Sequence, residues 1–238
     1  MDVSVAIPAY NEHQRLPATL ERWLAFLAAQ PYAAELLVVD DGSSDPTPSV
    51  VREFAADHPN LRLIQLPANR GKGAAVKAGM LAATGARVFY ADADLNVSPE
   101  HIGPFLALLD GGYDVVIGSR SSRQYSATER SVSRIMAGLL IQVVRRSFVL
   151  PVFRDTQCGF KGFTRDAARA IFTACTISSF AFDIEVLFLA RKIGFKVKEV
   201  RVGIERREGS TYSLRKHFLP FVRDVMQIRL HDLRGGYG

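Results

Sequence analysis

The chain has 238 residues, of which 48% are hydrophobic and 23% charged, so it is long and apolar enough to bury a full core. Its net charge of +6 is unevenly distributed. Residues 1–119 carry eight Lys and Arg against fourteen Asp and Glu, whereas residues 120–238 carry 22 against 10. The asymmetry predicts an acidic, metal-binding half and a basic half that binds anions such as phosphate.

Composition also argues against several protein classes. Cys158 and Cys175 have neither the spacing of a metal site nor that of a disulfide framework, so we expect buried thiols and a reducing compartment. The first segment is strand-like rather than a secretory signal. The longest stretch without a charge, Ala170–Phe182, has thirteen residues, whereas a bilayer crossing needs about 20. We therefore expect no signal peptide and no spanning helix.

The first half alternates between apolar runs and amphipathic segments. Predicted strands are Val3–Pro8, Glu35–Val39, Leu61–Leu66, Arg87–Ala91 and Asp114–Ile117. Predicted helices are Arg15–Ala29, Pro46–His58 with Asp45 as its N-cap, Gly71–Ala83 and Pro99–Leu109. This alternation predicts an α/β fold with a mostly parallel sheet that is covered by helices on both faces.

Polar loops follow four of these strands, and ligands of parallel sheets bind beyond the carboxyl ends of the strands. We expect these loops to converge on one crevice: Tyr10–Glu12, Asp40–Asp45, Asn69–Lys72 and Asp92–Asn96.

Two acids one residue apart, Asp92 and Asp94, follow the fourth predicted strand and form a D-x-D motif. Their side chains are expected to point the same way and to repel each other unless a cation lies between them. Such oxygen ligands suit Mg²⁺ or Mn²⁺ held against a diphosphate, and Asn96 could supply a third oxygen. The alternative is a solvated acidic loop.

Glycines surround Lys72 in the sequence Asn69-Arg70-Gly71-Lys72-Gly73, which invites comparison with phosphate-binding loops. The spacing G-x-x-x-x-G-K-[ST] is missing, as is G-x-G-x-x-G, so an ATPase loop is not expected. We predict a turn that borders the nucleotide crevice.

Together these motifs resemble the family 2 glycosyltransferases of GT-A fold. The matching segments are Ile7–Glu12, Val38–Asp45, Asn69–Gly73 and Asp92–Asp94. Two further segments, Gly118-Ser119-Arg120 and Asp155–Phe163, are similar to the branch that transfers sugars to polyprenyl phosphates. Within that branch, Asp155–Phe163 is most similar to the dolichyl-phosphate glucosyltransferases and more loosely to the mannosyl counterparts.

The resemblance implies a Rossmann-like, three-layer α/β/α fold and a site that takes a nucleotide sugar with Mg²⁺ or Mn²⁺. Asp92, Asp94 and Asn96 would hold the metal, which would act as a Lewis acid on the departing diphosphate. UDP-glucose is favoured over GDP-mannose. The residues implied in donor binding are Pro8, Tyr10, Glu12, Asp40, Asp41, Lys72 and Asp92.

Arginines dominate the start of the second half and suit an acceptor phosphate, because the guanidinium group can donate two hydrogen bonds at once. Arg120 is also a candidate catalytic residue. The alternative is a solvated basic surface. The arginines assigned to the acceptor are Arg120, Arg130, Arg134 and Arg206.

Asp183 opens a predicted helix, Ala181–Arg191, in a Phe-Asp-x-Glu sequence that borders the acceptor side in this family. A phosphate acceptor is already anionic at neutral pH, with a second pKa of about 6, so Asp183 would orient a substrate rather than deprotonate it. For a hydroxyl acceptor, Asp183 would be the leading candidate for the general base.

The last predicted segment is a basic amphipathic helix that begins near Pro220 or is kinked there. Its apolar stripe is Leu214, Phe218, Phe221, Val225 and Ile228. We expect this stripe to dock on a membrane surface rather than to pack on the domain, and an apolar helix at 135–144 is a second candidate contact. The division is then a catalytic domain, 1–212 (halves 1–119 and 120–212), and a C-terminal segment, 213–238.

The leading hypothesis is an inverting hexosyltransferase that acts on a polyprenyl phosphate at the cytoplasmic face of a membrane. The protein would bind peripherally there or through a membrane-anchoring partner. Three alternatives remain open: a glycosyltransferase with a saccharide or protein hydroxyl acceptor, a scaffold that binds nucleotide sugar without turnover, and a basic nucleic-acid-binding module. The acidic crevice has no use in the last of these, so no nucleic-acid partner is expected.

Overall fold

A seven-stranded sheet forms the centre of the protein in the computed structural model, which describes residues 1–120, 153–204 and 214–237. The strand order is β3-β2-β1-β4-β6-β5-β7, and β6 alone runs antiparallel to its neighbours. The strands are β1 Val3–Ala9, β2 Ala34–Asp40, β3 Leu61–Gln65, β4 Arg87–Ala91, β5 Val115–Arg120, β6 Phe160–Thr164 and β7 Val197–Val202.

Helices cover both faces of this sheet, and each face has its own apolar core. The described helices are α1 Leu16–Ala28, α2 Thr47–Asp57, α3 Lys72–Ala82, α4 Ile102–Asp110, α5 Arg165–Ala174, α6 Phe182–Ile193 and α7 Leu214–Leu233. Helices α1, α2 and α4 contribute to one core, and α3, α5, α6 and α7 contribute to the other. The predicted three-layer α/β/α architecture with a mostly parallel sheet is confirmed.

Strand β6 and helix α5 were not predicted from the sequence. Strand β6 contains Lys161 and Gly162, neither of which is typical of a buried strand. Both fit for local reasons: Lys161 is completely buried with a charged partner, and Gly162 faces the ring of Phe89, where a Cβ atom would lie 2.5 Å from a ring carbon. Hydrophobic periodicity does not predict a strand whose packing depends on such specific pairs of residues.

Two predicted boundaries are wrong in detail. Strand β5 spans Val115–Arg120 and so extends three residues beyond its predicted end at Ile117. Helix α2 begins at Thr47, with Pro46 rather than Asp45 at the N-cap position. The Asp45 carboxylate still accepts a hydrogen bond from the Thr47 backbone N–H at 2.9 Å, so it satisfies a free donor of the first turn from one position further out.

Helix α7 packs on the domain through the stripe that was assigned to a membrane. Phe221, Val225 and Ile228 are buried in the core on the α3 side of the sheet, so the membrane interpretation is wrong for these three residues. The helix runs continuously through Pro220 instead of beginning there. The side chains of Leu214 and Phe218, and the apolar segment 135–144, lie outside the described residues. Within the described ranges, no helix is both long enough and apolar enough to cross a bilayer.

Both cysteines are buried free thiols, as predicted. Burial raises the pKa of Cys158 to about 11, and the pKa of Cys175 also lies well above its ordinary value because of burial and the nearby charge of Glu185.

Glu35, at the start of β2, is a buried carboxylate that joins three parts of the fold. It accepts hydrogen bonds from Ser4 Oγ at 2.6 Å, from both donors of Thr84 at 2.7 Å and from Arg62 at 2.8 Å. Burial alone would raise its pKa, but the hydrogen bonds from Ser4, Thr84 and Arg62 outweigh burial and lower the pKa to about 2.

Replacing Glu35 by glutamine is expected to lower the free energy of unfolding at pH 7 by about 1–3 kcal/mol, since Ser4, Thr84 and Arg62 lose an ionised acceptor that is itself buried. The folded pKa lies below the ordinary value of 4.5. The stabilisation is therefore complete above about pH 4.5 and is lost as the pH falls towards 2. Urea unfolding at pH 7 and pH 3 should show the difference shrinking at low pH. Glu53→Gln, at an exposed position, is the control.

Candidate active site

The loops that follow β1 and β2 are bound to each other at the carboxyl edge of the sheet. The Asn11 backbone N–H donates to Ser43 Oγ at 2.9 Å, and Asn11 Oδ1 accepts from the Ser44 N–H at 3.0 Å. The Glu12 N–H donates to Thr47 Oγ1 at 2.8 Å. Asn11 adopts φ +54°, a left-handed conformation that asparagine tolerates better than most residues. The first two of the four predicted loops therefore form one wall.

The next link joins the β2 loop to the N-terminus of α3 through Asp41. Both carboxylate oxygens of Asp41 accept backbone N–H groups at 2.8 Å, Oδ1 from Arg70 and Oδ2 from Gly71. A carboxylate at this end of a helix satisfies free donors and complements the helix dipole. Asp41, predicted to bind the donor, thus has a clear structural role in holding the Lys72 loop.

The glycines of this loop allow close backbone packing. Gly71 adopts φ +98°, and a Cβ atom there would lie 2.5 Å from the carbonyl oxygen of Ser178. That same oxygen accepts the Gly73 N–H at 2.8 Å. The loop is therefore the predicted turn at the crevice, fixed between the β2 loop and the segment that leads into α6.

Lys72 reaches across the crevice to the D-x-D motif and connects the third loop to the fourth. Its Nζ lies 2.6 Å from Asp92 Oδ1 and 5.9 Å from the ring centroid of Phe180. Burial alone would lower the pKa of Lys72, but the negative charges of Asp92, Asp183 and Asp94 outweigh burial and raise it. The four loops thus converge on one crevice, as predicted.

Asp92 and Asp94 stand at the end of β4, where the chain turns sharply at Leu95, which has φ +54°. Burial, followed by the charge of Asp92, raises the pKa of Asp94. Asn96 donates its backbone N–H to Asp94 Oδ1 at 3.1 Å and its side-chain amide to Oδ2. In this arrangement Asn96 orients Asp94, and its role as a third metal ligand remains a prediction.

The residues present fit a divalent metal. Asp92 Oδ1 is buried, and among the described residues no hydrogen-bond donor of good geometry reaches it, so its only close partner there is the Lys72 charge. No group of three or more His, Cys, Asp and Glu side chains suited to a metal occurs in the described ranges. Mg²⁺ and Mn²⁺ sites of this kind use one or two carboxylates and complete the shell with substrate phosphates. Asp92 and Asp94 supply that pair.

Gly159, just before β6, packs directly against Asp92. Its carbonyl accepts the Asp92 N–H at 3.0 Å, and a Cβ atom at Gly159 would lie 1.9 Å from Asp92 Oδ2. The antiparallel direction of β6 brings this turn to the crevice, since Phe160 pairs with Ala91 at the end of β4. The sequence pattern did not identify Gly159 as a site residue.

Gly159→Ala is expected to lower turnover about a hundredfold, because displacing the Asp92 carboxylate, a predicted metal ligand, by about 1 Å would remove its productive geometry. The measurement is the turnover rate at saturating donor and metal. Gly103→Ala, on the exposed face of α4 with no atom within 4 Å of the added Cβ, should leave the rate unchanged. A Gly159→Ala protein with wild-type turnover would contradict the close packing around Asp92.

The residues predicted to line the nucleoside pocket lie on the wall made by the first two loops. Pro8 is half-buried in β1, and Tyr10 is 45% exposed at its end. Asp40 is buried at the end of β2, where its carboxylate accepts the Ser43 N–H at 3.2 Å.

Glu12 stands at the mouth of the same crevice. Its carboxylate pairs with the Arg15 guanidinium at 2.8 and 2.9 Å. Burial raises the pKa of Glu12 above its ordinary value, the nearby Arg15 opposes that shift, and the charges of Asp94 and Asp45 add to it. Glu12 is therefore electrostatically coupled to Asp94 as well as to its own loop.

Asp183 lies behind the D-x-D motif in a buried cluster. Its Oδ1 accepts hydrogen bonds from Tyr90 Oη and from Lys161 Nζ, the latter at 2.5 Å. Lys161 also donates to the Cys158 carbonyl at 2.7 Å and lies 5.2 Å from the Tyr90 ring centroid. Asp183 therefore joins β4, β6 and α6, and the buried Lys161 is a residue that sequence reasoning missed. A lysine between Phe160 and Phe163 was the available signal.

Arg120 forms a two-point ion pair with Asp155, through Nε at 2.7 Å and Nη2 at 2.9 Å. Burial alone would raise the pKa of Asp155, but the hydrogen bonds and charge of Arg120 outweigh burial and lower it. Asp155 also accepts the Gln157 N–H at 3.2 Å, so the pair stabilises the turn that leads to Gly159. The other arginines assigned to the acceptor, Arg130, Arg134 and Arg206, lie outside the described residues.

Glu185, two residues after Asp183, was not assigned a role and proves to be a buried anchor. Its carboxylate accepts N–H groups from Thr176 at 2.9 Å and from Ile177 at 2.8 Å, and the Tyr237 hydroxyl at 2.5 Å. It thus holds both the segment against which the Lys72 loop packs and the residues after α7.

Comparison with known proteins assigns the chain to a family. The sequence model described as glycosyl transferase family 2 matches residues 4–172, more than half of the chain. The chain belongs to glycosyl transferase family 2. It is 37% identical over its whole length to a dolichyl-phosphate beta-glucosyltransferase of Drosophila melanogaster, of which it covers 77%. A protein of the same description from Dictyostelium discoideum is 33% identical over 98% of this chain and 75% of the relative.

A solved structure shows the same GT-A fold. Glucosyl-3-phosphoglycerate synthase from Mycobacterium tuberculosis, crystallised with Mn²⁺, UDP-glucose and phosphoglyceric acid, aligns with a TM-score of 0.64 at 19% identity. The alignment covers 97% of this chain and 79% of that chain. Membership of the family makes the protein a glycosyltransferase that uses a nucleotide-sugar donor and a divalent metal.

Proposed function

We propose that this glycosyltransferase moves glucose, with inversion, from UDP-glucose to a dolichyl-type polyprenyl phosphate. The observation that carries the proposal is the Asp92–Asp94 pair at the crevice of a chain that aligns over 98–100% of its own length with dolichyl-phosphate beta-glucosyltransferases. The enzyme of similar fold, crystallised with Mn²⁺ and UDP-glucose in one structure and with Mg²⁺ and UDP in another, supports this donor and either metal.

Different residues of the crevice would bind the metal and the nucleoside of the donor. Asp92 and Asp94 would hold the metal, which supplies Lewis-acid stabilisation of the departing diphosphate. Glu12, Tyr10 and the Asp40 loop would bind the nucleoside.

A phosphate acceptor would need no general base, because its attacking oxygen is already anionic at neutral pH. The contacts of Asp183 support this view. Lys161 and Tyr90 both donate to Oδ1 of this buried carboxylate, which suits a fixed, orienting group better than one that must take up a proton in each turnover. We propose that Arg120, Arg130, Arg134 and Arg206 attract the acceptor phosphate.

The test combines each donor with each acceptor class. UDP-glucose and GDP-mannose are incubated with a short polyprenyl phosphate or with the corresponding polyprenol, in the presence of Mn²⁺. We expect glucosyl transfer from UDP-glucose to the phosphate alone. Efficient transfer from GDP-mannose would overturn the donor assignment. Transfer to a hydroxyl with none to the phosphate would overturn the acceptor and make Asp183 the base to test.

We further propose that the protein contacts the cytoplasmic face of a membrane, directly or with an anchoring partner protein. The buried free thiols suit a reducing compartment. The outer face of α7 carries exposed apolar side chains at helical spacing, Met226, Leu230 and Leu233, with Arg223 and Arg234 beside them.

Sedimentation with vesicles of anionic phospholipid tests this face. Leu230→Glu combined with Leu233→Glu should reduce the bound fraction, whereas Leu81→Glu, at an exposed position on α3, should not. Equal binding of both variants would contradict docking through α7.

A further inference from the structure

The ion pair between Lys72 and Asp92 occupies a carboxylate oxygen of the proposed metal site. Lys72 Nζ is 2.6 Å from Asp92 Oδ1, the distance of a close charge pair, and Oδ1 is buried. A divalent cation bound to Asp92 would meet the ammonium group at van der Waals range or closer. Two cations at that separation repel each other strongly in a partly buried site.

We propose that Lys72 is an exchangeable counter-ion of the metal site. Lys72 competes with the metal for Asp92, and on binding of the metal–diphosphate it turns from Asp92 to the diphosphate. This inference rests on the proposed function for the nature of the donor, but the competition itself concerns only Lys72, Asp92 and the metal.

The surroundings of Lys72 favour such a movement of the side chain with little movement of the backbone. Asp41 fixes the Arg70 and Gly71 backbone, and the Ser178 carbonyl fixes Gly73. The side chain itself is 19% exposed, pairs with one carboxylate oxygen and otherwise lies over the Phe180 ring. Because the backbone is held in place and the ammonium group lies at the crevice surface, Lys72 can change partners by side-chain rotation alone.

Charge balance favours movement of Lys72 from Asp92 to the diphosphate when the metal–diphosphate binds. Asp92 and Asp94 together carry two negative charges, which a divalent cation neutralises, so the Lys72 charge becomes surplus when the metal binds. A diphosphate brings new negative charge to the same place, and an ammonium group is a good partner for phosphate oxygens. Lys72 also stands in the first turn of α3, where the positive end of the helix dipole adds to the attraction for an anion.

The experiment measures Mn²⁺ binding to the chelator-treated protein by the loss of the electron paramagnetic resonance signal of free Mn²⁺, without and then with UDP. Lys72→Met should bind Mn²⁺ alone about tenfold more tightly than wild type, because the competing charge is gone. With UDP present, the same variant should bind Mn²⁺–UDP about tenfold more weakly, because a charge-assisted contact to the diphosphate is lost.

Two matched variants separate competition from a general charge effect. Lys72→Arg keeps the cation and should keep the wild-type affinity for Mn²⁺ alone. Arg70→Gln removes the same charge from an exposed side chain two residues away. Any change in Mn²⁺ affinity that it causes therefore measures the long-range electrostatic effect of losing one positive charge. Unchanged or weaker Mn²⁺ binding by Lys72→Met, or a gain equal to that of Arg70→Gln, would overturn the proposal.

A second measurement on the unmutated protein covers the case in which Lys72→Met does not fold. The extent of Lys72 acetylation by acetic anhydride, quantified by mass spectrometry, should rise with Mg²⁺ alone and fall with Mg²⁺ and UDP together. An extent of acetylation that does not change on addition of Mg²⁺ would contradict the exchange. Neither readout requires an acceptor, so a failure of glucosyl transfer to polyprenyl phosphate would leave these results standing and would count against the proposed function instead.

Discussion

Replacing Asp94 by alanine is expected to lower the turnover rate about a thousandfold while leaving the fold intact. A metal ion contributes several kcal/mol of transition-state stabilisation, and each 1.36 kcal/mol corresponds to a factor of ten in rate. Asp94 hydrogen-bonds only to Asn96 in the described structure, so its removal should change the melting temperature little. The measurement is turnover of UDP-glucose with a polyprenyl phosphate at saturating Mn²⁺, together with thermal unfolding.

The control for this variant is Asp57→Ala, which removes an exposed carboxylate at the end of α2. Its turnover should equal that of the wild type. Addition of a chelator to the wild type should reproduce the loss seen with Asp94→Ala. If Asp94→Ala kept a tenth or more of the wild-type rate, the D-x-D motif would not be the metal site.

Replacing Lys161 by methionine is expected to destabilise the fold by about 3–5 kcal/mol. Lys161 and Asp183 are buried together, and removal of one partner leaves an uncompensated charge in the interior. Tyr90 would still donate to Asp183, but one neutral hydrogen bond does not replace a full positive charge. Urea-induced unfolding at neutral pH measures the loss.

A double variant and an exposed pair make this prediction specific. Lys161→Met with Asp183→Asn removes both charges and should recover most of the lost stability. Lys192 and Asp232 are also 2.5 Å apart, but the Lys192 side chain is 34% exposed, so Lys192→Met should cost no more than about 1 kcal/mol. Equal losses for the two lysines would show that burial of the Lys161–Asp183 pair has no energetic consequence.

The parallel part of the fold could be predicted because its signals are local. Apolar runs that alternate with amphipathic segments define β1 to β4 and α1 to α4, and the topology of parallel sheets then places the polar loops at one edge. The convergence of the Asn11, Asp41, Lys72 and Asp92 loops required only that rule. The contacts within the crevice confirm it.

The remainder of the site depends on contacts that no periodic pattern encodes. Lys161 lies in a strand only because Asp183, distant in sequence, neutralises it. Gly159 matters because of the space beside Asp92, which is set by the antiparallel pairing of β4 and β6. In α7, the sequence shows an apolar stripe but not its partner, and the described residues of the stripe, Phe221, Val225 and Ile228, pack on the domain instead of a membrane.

The strand order has a consequence for the order in which the nascent chain can fold. Strands β3, β2, β1 and β4 are consecutive in the sheet and complete by residue 91, so they can pair as soon as they emerge from the ribosome. Among the described strands, β5 has only β6 and β7 as neighbours, and β6 begins 40 residues after β5 ends. At about 5–20 residues per second, this apolar strand waits about 2–8 seconds for a partner during synthesis. Until β6 arrives, both β4 and β5 present open edges, so this interval is when the chain is most exposed to aggregation or chaperone capture.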